Sequence, residues 1–155
     1  MNLRLLIIMG TIVLFLSSCS KQKTVERFNE PVINPQSAYN LIVLFNTSDC
    51  PVCLNEIAAF NELSNIDQAN LTVLGILNTN SKEETNSFKD KNRIKFELIG
   101  NDKLFGTYSS GRTPEQLLVD VRHGNEIIYK SYRKKIASSQ AATPDIINLI
   151  IRNQM

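Results

Sequence analysis

The chain has 155 residues, enough for one domain of ordinary size and too few for two. Hydrophobic residues are 43% and charged residues 21%, with a formal net charge of +2, which fits a globular protein and argues against a nucleic-acid partner. The single His excludes sites built on two or more imidazoles, and three Cys cannot staple a multi-disulfide scaffold.

Met1 to Ser18 reads MNLRLLIIMGTIVLFLSS. Arg4 supplies a short positive region, and Leu5–Leu16 is an apolar run shorter than the roughly 20 residues that a membrane-crossing helix needs. Small residues then precede Cys19. The string Leu16-Ser17-Ser18-Cys19 resembles the lipobox of bacterial lipoproteins. The resemblance implies a signal peptide over 1–18, cleavage before Cys19, a diacylglycerol on its thiol and an acylated amine. The chain would then be lipid-anchored to a bacterial membrane, facing the periplasm or another extracytoplasmic space, and several acyl chains hold far more firmly than one. An ordinary secretory signal or an uncut anchor is the alternative. Disulfides persist outside the cytoplasm. With Cys19 taken by lipid, Cys50 and Cys53 remain as a pair.

Ser20 to about Ser37 is polar, carries Lys21, Lys23, Glu26, Arg27, Pro31 and Pro35, and lacks sustained periodicity. With Cys19 it reads as a tether over 19–37, in which Val32-Ile33 offers a short edge strand. The folded domain is expected over 38–155. Leu41–Phe45 is a continuous apolar run, the pattern of a strand covered on both faces. Asn46–Asp49 is a polar turn. Pro51 opens a helical stretch in which Cys53, Ile57, Phe60 and either Leu63 or Ser64 share one stripe. Leu71–Leu77 is a second strand, parallel to the first. Ser81 is placed to cap a helix containing Phe88, with Glu84 as capping-box partner. Ile94–Ile99 fits a short strand and Lys103–Tyr108 one or two helical turns, with Phe105 and Tyr108 read as core or rim. Glu115–Val121 and Glu126–Tyr129 are strand-like around Arg122-His123-Gly124-Asn125, a hairpin signal in which His123 is a turn residue. Arg133-Lys134-Lys135 reads as a solvated edge. Thr143 and Pro144 open a last helix with Ile146, Ile147, Leu149 and Ile150 apolar. The order β-α-β-α-(β)-β-β-α implies an α/β fold whose mixed sheet has a parallel β-α-β half and an antiparallel hairpin half, with helices on both faces.

The chemistry sits at Cys50-Pro51-Val52-Cys53, between the buried strand and the helix. Cys50 falls near the N-cap, where unpaired N–H groups and the helix dipole favour a thiolate, the attacking species. Cys53 lies one turn on, within disulfide reach. Pro51 stiffens the loop and removes an N–H that has no helical partner. The pattern predicts a two-step exchange in which Cys50 enters a mixed disulfide and Cys53 resolves it. An inert disulfide closing so small a loop would constrain little of the unfolded chain. A zinc knuckle lacks ligands, since His123 alone remains to join the cysteines. No metal or organic cofactor is therefore expected beyond the Cys50–Cys53 pair itself.

The segment LIVLFNTSDCPVCLNEIAAF resembles the strand, active-site loop and helix of thioredoxin-fold proteins, nearest the TlpA-like membrane-tethered thiol-disulfide oxidoreductases. Glu56 matches the C-x-x-E that often follows in that family. Gly111-Arg112-Thr113-Pro114, then Leu117-Leu118-Val119-Asp120 and a turn with Gly124, is similar to the family's G-x-x-T-P strand and hairpin. The resemblance covers about residues 38 to 153. It implies a thioredoxin-like three-layer sandwich with Pro114 as a cis proline facing the dithiol. Thr113 would offer its backbone to an extended substrate segment. The implied partners are disulfide-containing proteins or peptides and a membrane thiol protein that donates or accepts electrons. Two departures stand out. Asp49 replaces the Trp usual before the first Cys; a carboxylate there either opposes thiolate formation at Cys50, which favours the reductase direction, or points into solvent and is screened. The preceding strand lacks the family's buried carboxylate, since Leu44 and its neighbours are apolar. Glu56 is expected either to relay a proton for Cys53 or to stand as an exposed helix charge.

Two other functions fit parts of the pattern. Thr47, three before Cys50, resembles the T-x-x-C of peroxiredoxins, although Val43 stands where that family expects Pro. A non-catalytic thioredoxin-fold module for binding or metal handling would need no resolving Cys53.

Overall fold

The computed structural model describes residues 24–49, 54, 56–65, 70–132, 148–150 and 152. The first strand, β1 (Tyr39–Phe45), is buried at every position, as its unbroken apolar run requires of a central strand. The loop after it leads to α1 (Ile57–Leu63), whose buried residues Ile57, Phe60 and Leu63 are the predicted stripe. The next strand, β2 (Leu71–Leu77), runs parallel to β1. Then come α2 (Lys82–Lys91), β3 (Glu97–Gly100), α3 (Asp102–Tyr108), β4 (Glu115–Asp120), a 3₁₀ turn at Val121–His123 and β5 (Glu126–Tyr132). The sheet order is β3-β2-β1-β4-β5, with β3 parallel to β2, and with β4 antiparallel to both β1 and β5.

Alternation along β1 splits the core in two. Tyr39, Leu41, Val43 and Phe45 pack with α1 and with Phe88 of α2. Ile42 and Leu44 pack with Leu104, Phe105 and Tyr108 of α3. Helices therefore cover both faces of a mixed sheet, the expected α/β sandwich.

Local chemistry sets the element ends. The Ser81 hydroxyl accepts from Glu84 N at 3.2 Å, so it caps α2 as predicted. The reciprocal half of the capping box is replaced, because the Glu84 carboxylate takes the Thr79 hydroxyl and Ser81 N donates to Thr79 Oγ1. Arg93, at φ 54°, and Ile94 N bonded to Lys89 O belong to the helix exit. The strand expected from Ile94 accordingly begins only at Glu97. Of the last predicted helix, residues 148–150 are helical and Ile150 is buried against the α1 face. Thr143 and Pro144 lie outside the described residues, as does Arg133-Lys134-Lys135.

The segment expected to be a free tether differs over residues 24–37. Phe28 is fully buried and stacks on Tyr108 with ring centroids 4.2 Å apart, and Ile33 is buried beside it. Arg27 bridges Glu126 antiparallel, Phe28 N donates to Asn125 O, and Ile127 N donates to Glu26 O. Asn34 and Asn40 exchange hydrogen bonds, Asn34 N to Asn40 Oδ1 and Asn40 Nδ2 to Asn34 O. A few isolated apolar residues thus dock a polar stretch that has no period of its own. Gly124 accommodates the strap: its φ of +71° suits glycine, and an added Cβ would collide with Arg27 Nη1.

At the same end of the sheet Asp120 is buried and takes hydrogen bonds from Arg122 Nε, Arg122 Nη2 and His123 Nδ1. Burial opposes its ionisation, but the Arg122 and His123 contacts outweigh that and hold its carboxyl below the usual range. Arg122 also donates to the Tyr39 hydroxyl. His123 is a turn residue, as predicted, tied to this cluster.

The strap yields a direct test. Phe28→Ala is expected to cost about 3–5 kcal/mol in denaturant unfolding of the domain. A free tether would change by no more than about 0.5 kcal/mol.

Candidate functional site

Cys50, Pro51, Val52 and Cys53 lie outside the described residues, as does Cys19. The residues bounding Cys50–Cys53 are described, and both sides are tied to the same place. After β1, Asn46 Oδ1 accepts from Ser48 N at 3.2 Å and from Ser48 Oγ at 3.0 Å. Asp49 closes the turn: its N donates to Asn46 O at 3.0 Å, and its Oδ2 accepts from Asn46 N at 2.8 Å. The other oxygen, Oδ1, accepts from Thr113 Oγ1 at 2.7 Å. The Asp49 carboxylate is therefore fixed on both oxygens and does not swing free in water.

On the far side of Cys50–Cys53, Glu56 stands at the N-cap position of α1 without a side-chain capping bond. Its Oε2 accepts from Gln116 Nε2 at 2.6 Å. Glu56 is thus held by a residue of β4 and is not the free helix charge that its position also allowed.

Thr113 and Gln116 bracket the Thr113–Pro114 peptide bond, which is cis. The loop before it is set by its own polar groups. Glu115 is fully buried, and its Oε2 accepts from Ser110 N at 2.7 Å and Ser110 Oγ at 3.0 Å. Gly111 turns the loop at φ +79°. In the β1–β4 register Glu115 faces Leu44 and Gln116 faces Val43. Consecutive residues of a strand point to opposite faces. Glu115 therefore belongs to the α3 side and Gln116 to the α1 side.

Four predicted site residues are described: Asp49, Glu56, Thr113 and Pro114. The structure links Asp49 to Thr113, and Glu56 to Gln116 two residues past Pro114. Sequence reasoning missed Glu115 and Gln116. Two consecutive polar residues opening a strand that is otherwise Leu-Leu-Val were the available signal, because a strand buried on both faces must shelter one of them on each. β1 has no buried carboxylate, as read from sequence, yet its neighbour β4 supplies one directly opposite Leu44.

Among the described residues, no group of three or more His, Cys, Asp or Glu is placed to hold a metal ion. No described helix is long and apolar enough to cross a membrane.

This architecture is a thioredoxin-like fold. The chain belongs to the AhpC/TSA family, whose model matches residues 23–133. Solved structures share the fold at low identity. A secreted disulfide oxidoreductase of Mycobacterium tuberculosis, homologous to DsbE of E. coli, is 14% identical over 76% of this chain and 83% of that chain, with a TM-score of 0.56. The thioredoxin domain of a thiol-disulfide oxidoreductase from Bacteroides vulgatus is 15% identical over 77% and 81%, with a TM-score of 0.57. A thiol-disulfide oxidoreductase from Bacteroides fragilis is 15% identical over 72% and 80%, with a TM-score of 0.56. No curated protein is a significant match.

The Asp49–Thr113 bond joins the two loops of the site and is measurable by a double-mutant cycle. Asp49→Ala and Thr113→Val are expected to be non-additive in urea unfolding by about 1 kcal/mol. Additivity within a few tenths of a kcal/mol would show that the two loops are not coupled through this contact.

Proposed function

We propose that the protein is a lipid-anchored, TlpA-like thiol-disulfide oxidoreductase that exchanges disulfides with extracytoplasmic proteins through Cys50 and Cys53. One observation carries the reading. The residues on either side of the Cys-Pro-Val-Cys stretch, Asp49 and Glu56, are hydrogen-bonded to Thr113 and Gln116, on either side of the cis Pro114. Both flanks of that stretch are thereby tied to the same strand entry. The named activities of proteins sharing the fold support the same reading, and membership of the AhpC/TSA family fits thiol chemistry in general.

In this mechanism a Cys50 thiolate attacks a substrate disulfide. One substrate sulfur leaves as a thiolate, and a mixed disulfide with Cys50 forms. Cys53 then loses its proton and attacks the Cys50 sulfur, which closes the Cys50–Cys53 disulfide and releases the second substrate thiolate. Two electrons pass from the enzyme to the substrate. Thr113 presents main-chain groups to the substrate segment in the manner of strand addition, next to Pro114. The fixed charge of Asp49 disfavours the Cys50 thiolate, which stabilises the dithiol and favours reduction. A membrane thiol protein then restores the dithiol. No metal or organic cofactor takes part.

Anchoring through Cys19 would hold this domain close to the bilayer. Only Ser20–Lys23 separate Cys19 from Thr24, where the described strap begins. At full extension that leash spans roughly 17 Å. Substrates and the electron partner would therefore meet the enzyme near the membrane surface.

A thiol peroxidase is the second reading, supported by Thr47 before Cys50 and by membership of the AhpC/TSA family. Val43, where a Pro is expected for that chemistry, is a buried β1 residue.

Trapping decides among these. The Cys53→Ala protein is expected to accumulate mixed disulfides through Cys50, and the wild type to reduce insulin disulfides far faster than it consumes peroxide. Faster peroxide consumption would move the assignment to a peroxidase. Full function in Cys53→Ala with nothing trapped would leave a binding module.

A further inference from the structure

The strap reaches the site loop through an aromatic contact. Phe28, fully buried, stacks on Tyr108, and Tyr108 is the last residue of α3. Residues 109–113 then form the loop that ends at the cis Thr113–Pro114 bond. The strap therefore grips the chain immediately before the segment that carries Thr113.

The two ends of α3 are built unequally. At its start Asn101 Oδ1 accepts from Leu104 N at 2.9 Å, and Asp102 N donates to Asn80 Oδ1 at 3.2 Å. Its last turn holds Gly106, Thr107 and Tyr108, none a strong helix former. The Thr107 hydroxyl donates back to Lys103 O at 2.9 Å, an arrangement that slightly weakens a helix. No basic side chain answers the helix dipole there. Packing gives no reason for Gly106, since an added Cβ would meet nothing within 4 Å. A helix of seven residues is marginal by itself, so the contacts of Tyr108 decide whether the last turn holds. Among the described residues, the ring and hydrogen-bond partners of the Tyr108 side chain belong to the strap. The Phe28 ring lies 4.2 Å away between centroids, and Glu30 Oε1 accepts from the Tyr108 hydroxyl at 3.4 Å.

We propose that Phe28 is a positioning residue for substrate binding: by stacking on Tyr108 it keeps the last turn of α3 wound, and so sets where the 109–113 loop begins. This rests on the thiol-exchange reading above and deepens it. The later part of the loop is fixed by Ser110 on Glu115 and by Thr113 on Asp49. Its near end depends on Ser109 N donating to Phe105 O at 2.9 Å, a bond that exists only while the last turn is helical. With Tyr108 released that bond opens and the loop lengthens. Each arriving substrate segment must then order a looser Thr113 before pairing with its main chain, which weakens binding. Phe28 is buried beneath α3 and touches no substrate, so the chemistry at sulfur is unchanged.

The test compares two disulfides in the full chain, with dithiothreitol as reductant and the uncatalysed rate subtracted. Insulin offers a peptide backbone to pair with Thr113, whereas bis(2-hydroxyethyl) disulfide has none. Phe28→Leu keeps an apolar side chain and removes the ring. Its KM for insulin is expected to rise about fivefold to tenfold, with kcat unchanged and with the wild-type rate on bis(2-hydroxyethyl) disulfide. Tyr108→Leu removes the same stack from the other side and is expected to raise KM equally, and the double variant no further. Gly106→Ala, which strengthens the last turn of α3 without touching the strap, is expected to bring the KM of Phe28→Leu back toward wild type. Thermal unfolding shows which variants are folded at the assay temperature, and Tyr108→Leu carries the test if Phe28→Leu is not. A wild-type KM for insulin in the folded variants would overturn the proposal. An equal loss on both disulfides, or a raised KM that Gly106→Ala leaves untouched, would do the same. A wild-type chain that reduces neither disulfide would overturn the thiol-exchange reading itself, and with it this role.

Discussion

The antiparallel register of β4 on β1 is the constraint on which the site depends. It sets Glu115 opposite Leu44 and Gln116 opposite Val43. Both strands are buried on both faces, so the pairing has no tolerance for a slip. A shift of one residue would turn Gln116 toward α3 and Glu115 toward α1, and would drive Leu117 and Leu118 into the wrong halves of the core. The correct register puts an amide beneath Glu56 and leaves the Thr113–Pro114 loop at the level of the β1 turn. Each polar contact of the site follows from that alignment: Asp49 with Thr113 before the proline, and Glu56 with Gln116 after it.

The two ends of β1 are treated differently. At one end the Asp120–Arg122–His123 cluster and the Arg27 strap are dense with ionic and main-chain bonds. Buried charge there is matched donor for acceptor. At the other end, Glu115 and Gln116 each keep one buried oxygen without a described partner. Ion pairs gather at the Tyr39 end of β1, and buried oxygens without a described partner gather at the Phe45 end.

Much of this was legible in the chain itself. The run Leu41–Phe45, the stripe Ile57, Phe60 and Leu63, the Ser81 cap and the hairpin around Gly124 each carry a local signal, and each is where it was expected. The strap was not legible. Phe28 and Ile33 are spaced apart among polar residues, and their burial is decided by a groove that α3 and β5 form only after folding. Gln116 escaped notice for a related reason. A glutamine near the start of a strand looks like a solvent-facing residue until β1 and α1 are known to cover it. Local periodicity reports which residues want burial, whereas a buried polar pair is specified by what lies across from it.

The most direct measurement is a structure of the Cys53→Ala chain joined through Cys50 to a cysteine-containing peptide. The Cys50 sulfur should lie beside Pro114, with the peptide backbone paired to that of Thr113. A peptide held on another face, or a Cys50 sulfur directed away from Pro114 and shielded by other side chains, would contradict the assignment.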